Sequence, residues 1–341
     1  AILAGAETGV ELADALSHAM GCRSNGEDPK LVRRDKCRMQ EQIASDGIRS
    51  VKQVLAFDSA TVQRFVDTLD NPKCVVKPNM SAGSDSVYLC RNKAEAVEAF
   101  TRINAEINGL GQVNEGALCQ EFLEGLEFVV DGCSRDGEYK VTAVWEYDKR
   151  SVNDANFVYF GMRMRDARLP HFNELIAYAE KVVGSLGIVH GPSHMELMMT
   201  STGPCLVEVG SRCHGGEGTW VRVAEDCVGY TQVEATLDCY LRPDRFDALP
   251  PVPALKAFGA ECFLVSFQAG RLVDMPGMDR LRNLASFRRL EMLVQLGMPL
   301  KATVDCFTRP GSVQLVAPSV HALEADYDAV RALEKSGLFK V

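Results

Sequence analysis

The residues with the most chemistry in this 341-residue chain lie in two short runs, Ser193-His194-Met195-Glu196-Leu197-Met198-Met199 and Cys205-Leu206-Val207-Glu208-Val209-Gly210. Between them stands Thr200-Ser201-Thr202-Gly203-Pro204. The runs read as the strands of a hairpin. Centred on Thr202, it sets Glu196 directly opposite Glu208. The period-two rule then gathers His194, Glu196, Leu206, Glu208, Gly210 and Arg212 on one face. Side chains facing each other across an antiparallel pair lie roughly 5 Å apart at Cβ, where like charges destabilise. Two carboxylates so placed call for a cation, and hard oxygen donors suit Mg²⁺ (or Mn²⁺). A solvated edge strand carries the same pattern, and the hairpin alone leaves both readings open.

The elements that would position such a site can be read along the chain. Ala1 to Ala4 has the composition of a buried strand, and Thr8-Gly9-Val10-Glu11 opens a helix running from Gly9 to about Met20. The basic run Val32 to Met39, with Lys36 in it, begins another helix. It reads either as a solvated helix face or as part of an anion site. Strands Cys74 to Pro78 and Val87 to Cys90 flank the small, polar loop Asn79 to Ser86. Such a loop can turn several backbone N–H groups toward one anion. It lacks the spacing of a P-loop, and a plain hairpin tip is the alternative. Lys77, at the strand end, can hold a phosphate there as a point charge.

Asn92 and Glu95 cap a helix whose apolar stripe is Val97, Phe100, Ile103 and Ile107. Strand patterns follow at Leu118 to Leu123, Glu127 to Gly132 and Tyr139 to Tyr147, making an antiparallel region. A helix from Glu174 to Leu186 ends at Gly187. After the hairpin, His214-Gly215-Gly216-Glu217-Gly218 is a second glycine-rich turn, and Ala224 to Leu241 reads as one helix. A proline cluster from Pro243 to Pro253 marks a boundary. Alternation returns over 260–267, 303–308 and 313–316, before a last helix over 322–335.

Composition narrows the class. Hydrophobic residues make up 46% of the chain, enough for packed domains, and no run approaches the roughly 18 apolar residues of a membrane helix. A net charge of −9 speaks against a nucleic-acid surface, and no membrane partner is expected. The 12 cysteines are scattered, without a CxxC pair, and read as reduced thiols of a cytoplasmic protein. The chain opens on AILAGAETG without an initiator methionine, which reads as a piece of a longer polypeptide.

Taken in order, VVKP with SAGSDS, QEFLEGLEFVVDG, GPSHMELMM and LVEVGSRCHGG resemble the ATP-grasp superfamily of carboxylate–amine ligases, and within it the L-amino-acid (dipeptide) ligase branch. The resemblance spans about Arg33 to Leu241. It implies an α+β fold with two lobes gripping ATP. Residues 1–60 would hold part of an N-terminal α/β domain and a connecting helix, and 61–250 the core, as a nucleotide lobe (61–130) and a metal and catalytic lobe (131–250). Residues 251–341 would complete the large lobe.

By the same resemblance, Lys36 and Lys77 contact the ATP phosphates, under a loop containing Ser81, Gly83, Ser84 and Ser86. Gln120, Glu121, Phe122 and Leu123 read adenine, and Glu127 holds the ribose. Glu196 and Glu208 carry Mg²⁺, and Arg212, with Lys77, acts in catalysis. His194, Arg163, Gly215 and Gly216 are candidate substrate contacts, His194 equally readable as packing and Arg163 as an exposed strand residue. Many members carry Asn two residues after the second glutamate, where this chain has Gly210, so Glu208 is expected to matter more than Glu196. The activity implied is ATP-dependent joining of a carboxylate, expected to be an amino acid, to an amine through an acyl phosphate, in a chain tending toward a homodimer. A carboxyphosphate-type carboxylase and a non-catalytic ATP-binding module are the alternatives.

Overall fold

The computed structural model describes residues 1–28, 30–83 and 85–341. In chain order the helices and strands begin with α1 (Val10–Ala19), α2 (Lys36–Ser45), β1 (Gln53–Ala56), α3 (Ser59–Asp67), β2 (Cys74–Lys77), β3 (Tyr88–Cys90), α4 (Lys93–Ile103) and β4 (Ala117–Glu121). The long strands β5 (Gly125–Arg135), β6 (Glu138–Val152) and β7 (Ala155–Arg165) follow, then α5 (Asn173–Ser185), β8 (Gly191–Thr200) and β9 (Gly203–Gly210). Next come α6 (Val221–Val228), α7 (Gln232–Leu241), α8 (Pro243–Asp247), β10 (Phe258–Phe263) and β11 (Gly270–Arg271). The chain closes with α9 (Met278–Arg282), β12 (Phe287–Met292), β13 (Pro299–Leu300), β14 (Gly311–Ala317) and α10 (Val320–Lys335).

These elements divide into two compact units. The first comprises 1–142, 169–214 and 235–251. Its antiparallel sheet runs β1-β4-β2-β3, with α3 and α4 laying Val62, Phe65, Ala96, Phe100 and Ile103 on Cys74, Val76 and Cys119. The helix ends are set by side chains. Asp58 accepts from the Thr61 N–H at 2.7 Å, and Asn92 from Glu95 at 3.0 Å while Glu95 returns to the Arg91 N–H at 2.9 Å. The same unit holds the antiparallel strands β5, β8 and β9.

The second unit comprises 143–168, 215–234 and 252–341. Here the strand order is β12-β14-β10-β7 and then the end of β6. Helix α10 covers β10 and β14, burying Tyr327, Val330 and Leu333 against Ala260, Cys262, Val313 and Leu315. Ser319 caps that helix, accepting from the Ala322 N–H at 3.2 Å.

The architecture is α+β, as expected, but several local expectations are corrected. Ala1 to Ala4 is not a strand, and Leu3 is exposed: apolar composition alone supplies no ladder partner. Helix α4 stops at Ile103, so Ile107 leaves the stripe and is 69% exposed in a short bridge with Val113. The single helix expected over 224–241 is two, because Gly229 takes φ +95° and ends α6. Residues 303–308 form no strand. Asp305 there accepts from the Phe307 and Thr308 N–H groups at 2.9 and 2.8 Å, a local turn that competes with a ladder.

Candidate active site

The β8–β9 hairpin does pair Glu196 with Glu208, by a different route from the one the sequence suggests. Its turn is only Ser201-Thr202, since Thr200 faces Gly203, and Gly203 takes φ +101°. That register alone would pair Leu197 with Leu206 and leave the carboxylates out of step. The ladder slips between Glu196 and Leu197, Val207 becomes the extra residue of a bulge, and beyond it Glu196 faces Glu208 and His194 faces Gly210. Leu206 therefore belongs with Leu197 on the opposite face, fully buried, which corrects its placement beside the carboxylates. Two side chains hold Leu206: the Tyr178 hydroxyl from α5 accepts from its N–H at 2.9 Å, and Gln40 Nε2 from α2 donates to its carbonyl at 2.8 Å.

Helix α2 also delivers Lys36. Asp35 caps it, accepting from the Arg38 N–H at 2.9 Å, and receives a bond from Asn79 Nδ2 at 2.7 Å. Asn79 Oδ1 in turn accepts from the Cys37 N–H at 3.0 Å, so the start of α2 and the loop after β2 are fastened together. The buried Lys36 Nζ donates to the Ser81 carbonyl and stands 3.2 Å from Glu208 Oε2. Burial pushes the Glu208 carboxyl up, yet Lys36, and Lys77 after it, outweigh burial and the repulsion from Glu196, so Glu208 sits below the ordinary glutamate range. Lys77 is buried at the end of β2. The Glu208 side chain is 26% exposed and that of Glu196 10%, so Glu208 presents the more open carboxylate. Two facing carboxylates, one held ionised, fit a hard divalent cation.

In the loop itself Gly83 takes φ +74°. Ser81 and Ser86 donate to the two oxygens of Asp85, at 2.7 and 3.2 Å, and the Gly109 N–H adds a third bond to it at 2.7 Å. Both hydroxyls expected at phosphates thus serve Asp85 in this conformation. Ser84 lies outside the described residues.

Arg212 reaches back across the chain. Its Nε is 2.8 Å from Glu7 Oε2, while Arg34 Nη1 stands 3.5 Å from the other Glu7 oxygen. A Cβ built on Gly210 would lie 2.9 Å from Glu7 Oε2 and 3.0 Å from Arg212 Cζ. The space that a side chain at position 210 would enter is filled by the Glu7 carboxylate and its arginine. Glu7 was missed in the sequence because nothing local marks it: it precedes a helix and reads as an ordinary first-turn acid.

Asp131 was missed as well. It is fully buried on β5, opposite His194 in the ladder. His194 Nδ1 meets one of its oxygens and His214 Nδ1 the other, both at 2.8 Å. The two imidazoles lie 4.2 Å apart, and His194 Nε2 is 3.8 Å from Glu196 Oε1. Ligand atoms of the three residues all fall within 4.8 Å. The short contacts, however, pair ring nitrogen with carboxylate oxygen at hydrogen-bond length, the arrangement of an acid orienting two imidazoles. Burial raises the Asp131 carboxyl, but His214 and His194 overcome it and hold the group well below the ordinary range. Burial lowers His194, and its bonds to Asp131 and Glu196 more than restore it, leaving it raised. In His214 burial prevails over Asp131, with His194 and Arg212 adding to it, and the ring is lowered.

The ATP-grasp domain family matches residues 71–220. Dapdiamide A synthase of Enterobacter agglomerans is 39% identical over 247 residues, covering 72% of this chain and 58% of that protein. Residues 71–220 form an ATP-grasp domain. An L-arginine-specific L-amino acid ligase of Bacillus subtilis is 20% identical over 81% of this chain and 65% of its own length. The chain thus spans about three-fifths of the length of these curated relatives. The crystal structure of an L-amino acid ligase from Bacillus licheniformis superposes with a TM-score of 0.78 at 17% identity, covering 96% of this chain and 77% of that one.

The other ATP-grasp candidates are placed as follows. Gln120, buried on β4, donates to Gln53 at 2.9 Å, and Glu121 accepts from the Lys52 N–H at 2.8 Å. The Glu121 and Phe122 N–H groups go to the Lys52 and Lys73 carbonyls at 2.9 and 3.3 Å, and Leu123 follows beyond the strand. Glu127 stands half-buried at the start of β5. Arg163 belongs to the second unit, where its Nε is 3.0 Å from Glu324 and its guanidinium lies over the Tyr327 ring, so its charge is already matched there. Gly215 and Gly216 are also in the second unit, their carbonyls accepting from Trp220 Nε1 at 2.8 Å and Thr219 Oγ1 at 2.9 Å.

Proposed function

We propose that this chain carries out ATP- and Mg²⁺-dependent ligation, activating a carboxylate as an acyl phosphate and joining it to an amine, with release of ADP and phosphate. The observation that carries the reading is Lys36, whose ammonium binds Glu208 and the Ser81 carbonyl together and so ties a carboxylate pair to a glycine-bearing loop. A static binding module has no use for a carboxylate pair that fits a divalent cation, placed against such a loop. The names of its relatives favour amino acids as the carboxylate and the amine.

In this reading Glu196 and Glu208 would hold Mg²⁺, which supplies charge neutralisation at phosphate oxygens. Lys36 and Lys77 bring point charges to the phosphates, and the loop bearing Ser81, Gly83, Ser84 and Ser86 lies over them, with Ser81 and Ser86 exchanging Asp85 for phosphate oxygens. The Glu121 and Phe122 N–H groups are already bonded to the Lys52 and Lys73 carbonyls, and the segment Gln120 to Leu123 reads adenine through its other backbone groups. Glu127 holds the ribose hydroxyls. Arg212, fixed by Glu7, stabilises negative charge on the group being transferred. Gly215 and Gly216 flank the substrate, and residues 61–130 and 131–250 are the nucleotide and catalytic lobes. Free cysteines throughout favour a cytoplasmic setting.

The test is ADP release with ATP, MgCl₂ and L-amino acids offered singly and in pairs. Stimulation by particular pairs, with the matching dipeptide in the product, supports the ligase. Stimulation by bicarbonate alone would favour carboxylation, and ATP binding without turnover under any condition would favour a binding module.

A further inference from the structure

We propose that Cys74 and Cys90 form an oxidation site, at which a small hydroperoxide converts the two thiols to a disulfide that ties the edge strand β3 to β2. Its chemistry is independent of the ligase reading. Strands β2 and β3 are antiparallel, and Cys74 faces Cys90 directly, with Val75 opposite Leu89 and Val76 opposite Tyr88. Residues so opposed have Cα atoms about 4.5 or 5.5 Å apart. Both separations fall within the range of about 4.4–6.8 Å that a disulfide spans. The two side chains also share a face of the sheet, in the core beneath α3 and α4, and are 0% and 1% exposed. Bridging them asks for side-chain rotation and no change of register.

Cys119 is the third cysteine of this core, but β4 sets it opposite Val76, diagonal to Cys74. Diagonal neighbours lie roughly 7–8 Å apart, beyond disulfide reach. Cys90 is the thiol an oxidant meets. A cavity of about 140 Å³ opens between β3 and α4, and Tyr88, Cys90, Glu95 and Arg102 are among the residues lining it. A water takes about 30 Å³ of liquid volume, so hydrogen peroxide or a short alkyl hydroperoxide fits. Strand β3 has three residues and stands at the end of the order β1-β4-β2-β3, held by one neighbour. An element held so lightly belongs to the part of a fold that opens most readily.

The step balances. Contact with Cys90 draws the Cys74 thiol below its ordinary range, and the same contact raises Cys90. The first proton lost therefore belongs to the pair, and the charge can sit on either sulfur. As thiolate, Cys90 attacks one peroxide oxygen, the O–O bond breaks, and the departing hydroxide takes up the lost proton as water. The Cys74 sulfur then displaces hydroxide from the Cys90 sulfenic acid, which leaves as water with the Cys74 proton. Two thiols and one hydrogen peroxide become one disulfide and two waters; an alkyl hydroperoxide gives one alcohol in place of one water. The bond closes a loop over residues 75–89, which holds Lys77 and the segment Asn79 to Ser86, and pins β3 at its base.

The test treats the intact, folded chain with hydrogen peroxide, blocks the remaining thiols with an alkylating reagent, and maps the peptides by mass spectrometry. We expect the Cys74 and Cys90 thiols to disappear at least about ten-fold faster than that of Cys262, which is as deeply buried and faces Val313 and Gly161. Their peptides should emerge joined and lighter by two hydrogens, and dithiothreitol should restore both thiols. Amide exchange over 75–89 should slow in the oxidised protein. Cys119→Ser should keep the bridge, and Cys74→Ser should stop at a sulfenic acid on Cys90 that dimedone captures. The wild-type map decides the matter even where a variant does not fold. Thiols that stay free in the folded protein, a bridge from Cys90 to Cys119, or a Cys74–Cys90 bridge that forms only in urea each overturn the oxidation site. A bridge that leaves exchange over 75–89 unchanged overturns the pinning of β3.

Discussion

The Glu7 carboxylate meets the Arg212 guanidinium at 2.8 Å, over the bare α-carbon of Gly210. Arginine just after β9 is useful only if its guanidinium is aimed, and Glu7 aims it while Arg34 steadies the other oxygen. Glu7→Ala should lower ADP formation about 10- to 100-fold, the range seen when an orienting partner is removed. Steady-state kinetics should show the loss mainly in kcat, and far-ultraviolet circular dichroism should be unchanged. Unaltered kcat would mean that Arg212 is positioned by other contacts.

Glu208 is the more exposed of the two facing carboxylates and the one in contact with Lys36. Glu208→Ala should therefore cost at least about 100-fold in Mg²⁺-dependent turnover and more than Glu196→Ala. Titrating MgCl₂ against ADP release checks the order. Equal effects of the two substitutions would count against the special weight given to Glu208.

Glu261 lies in the second unit, fully buried on β10. Burial pushes its carboxyl up to about 7, beyond what Thr219, Ser312 and Arg309 draw it down. A carboxyl whose folded pKa exceeds its unfolded one binds more protons when folded, so its contribution is present below the ordinary glutamate pKa and is lost as pH rises through about 7. Glu261→Gln should remove that dependence. Melting temperatures from pH 5 to 8 should fall less steeply in the variant, which should be the more stable protein at pH 8. Parallel curves would place the titration elsewhere.

Gly229 ends α6 at φ +95°, in a conformation that costs an L-residue roughly 1–2 kcal/mol. A Cβ there would also lie 2.0 Å from Lys256 Nζ, a flexible end that can move aside. Gly229→Ala should destabilise the second unit by about that backbone cost. Urea unfolding should show a lower midpoint with an unchanged slope.

The strand ending at Lys77, the loop after it and the strand through Gln120 were legible as backbone elements because their signals are local. The Lys77 strand end, the small loop after it and the QEFL segment are contiguous runs whose composition states what the backbone must do. The Glu196–Glu208 pair was also legible, although a symmetric turn was the wrong reason: a two-residue turn and a bulge at Val207 reach the same pairing, and only the placement of Leu206 betrays the difference.

Sequence by itself determined the α+β class, the ordered motifs of the ATP-grasp family and the two glutamates, because hydrophobic period, turn chemistry and residue type act over a few neighbours. Tertiary structure alone decided that Glu7 fills the space over Gly210, that Lys36 joins Glu208 to Ser81, and that Asp131 serves both His194 and His214. Those partners are far apart in the chain and carry no shared local pattern. Their pairing follows from which strands lie side by side and from the need of each buried charge for an opposite one.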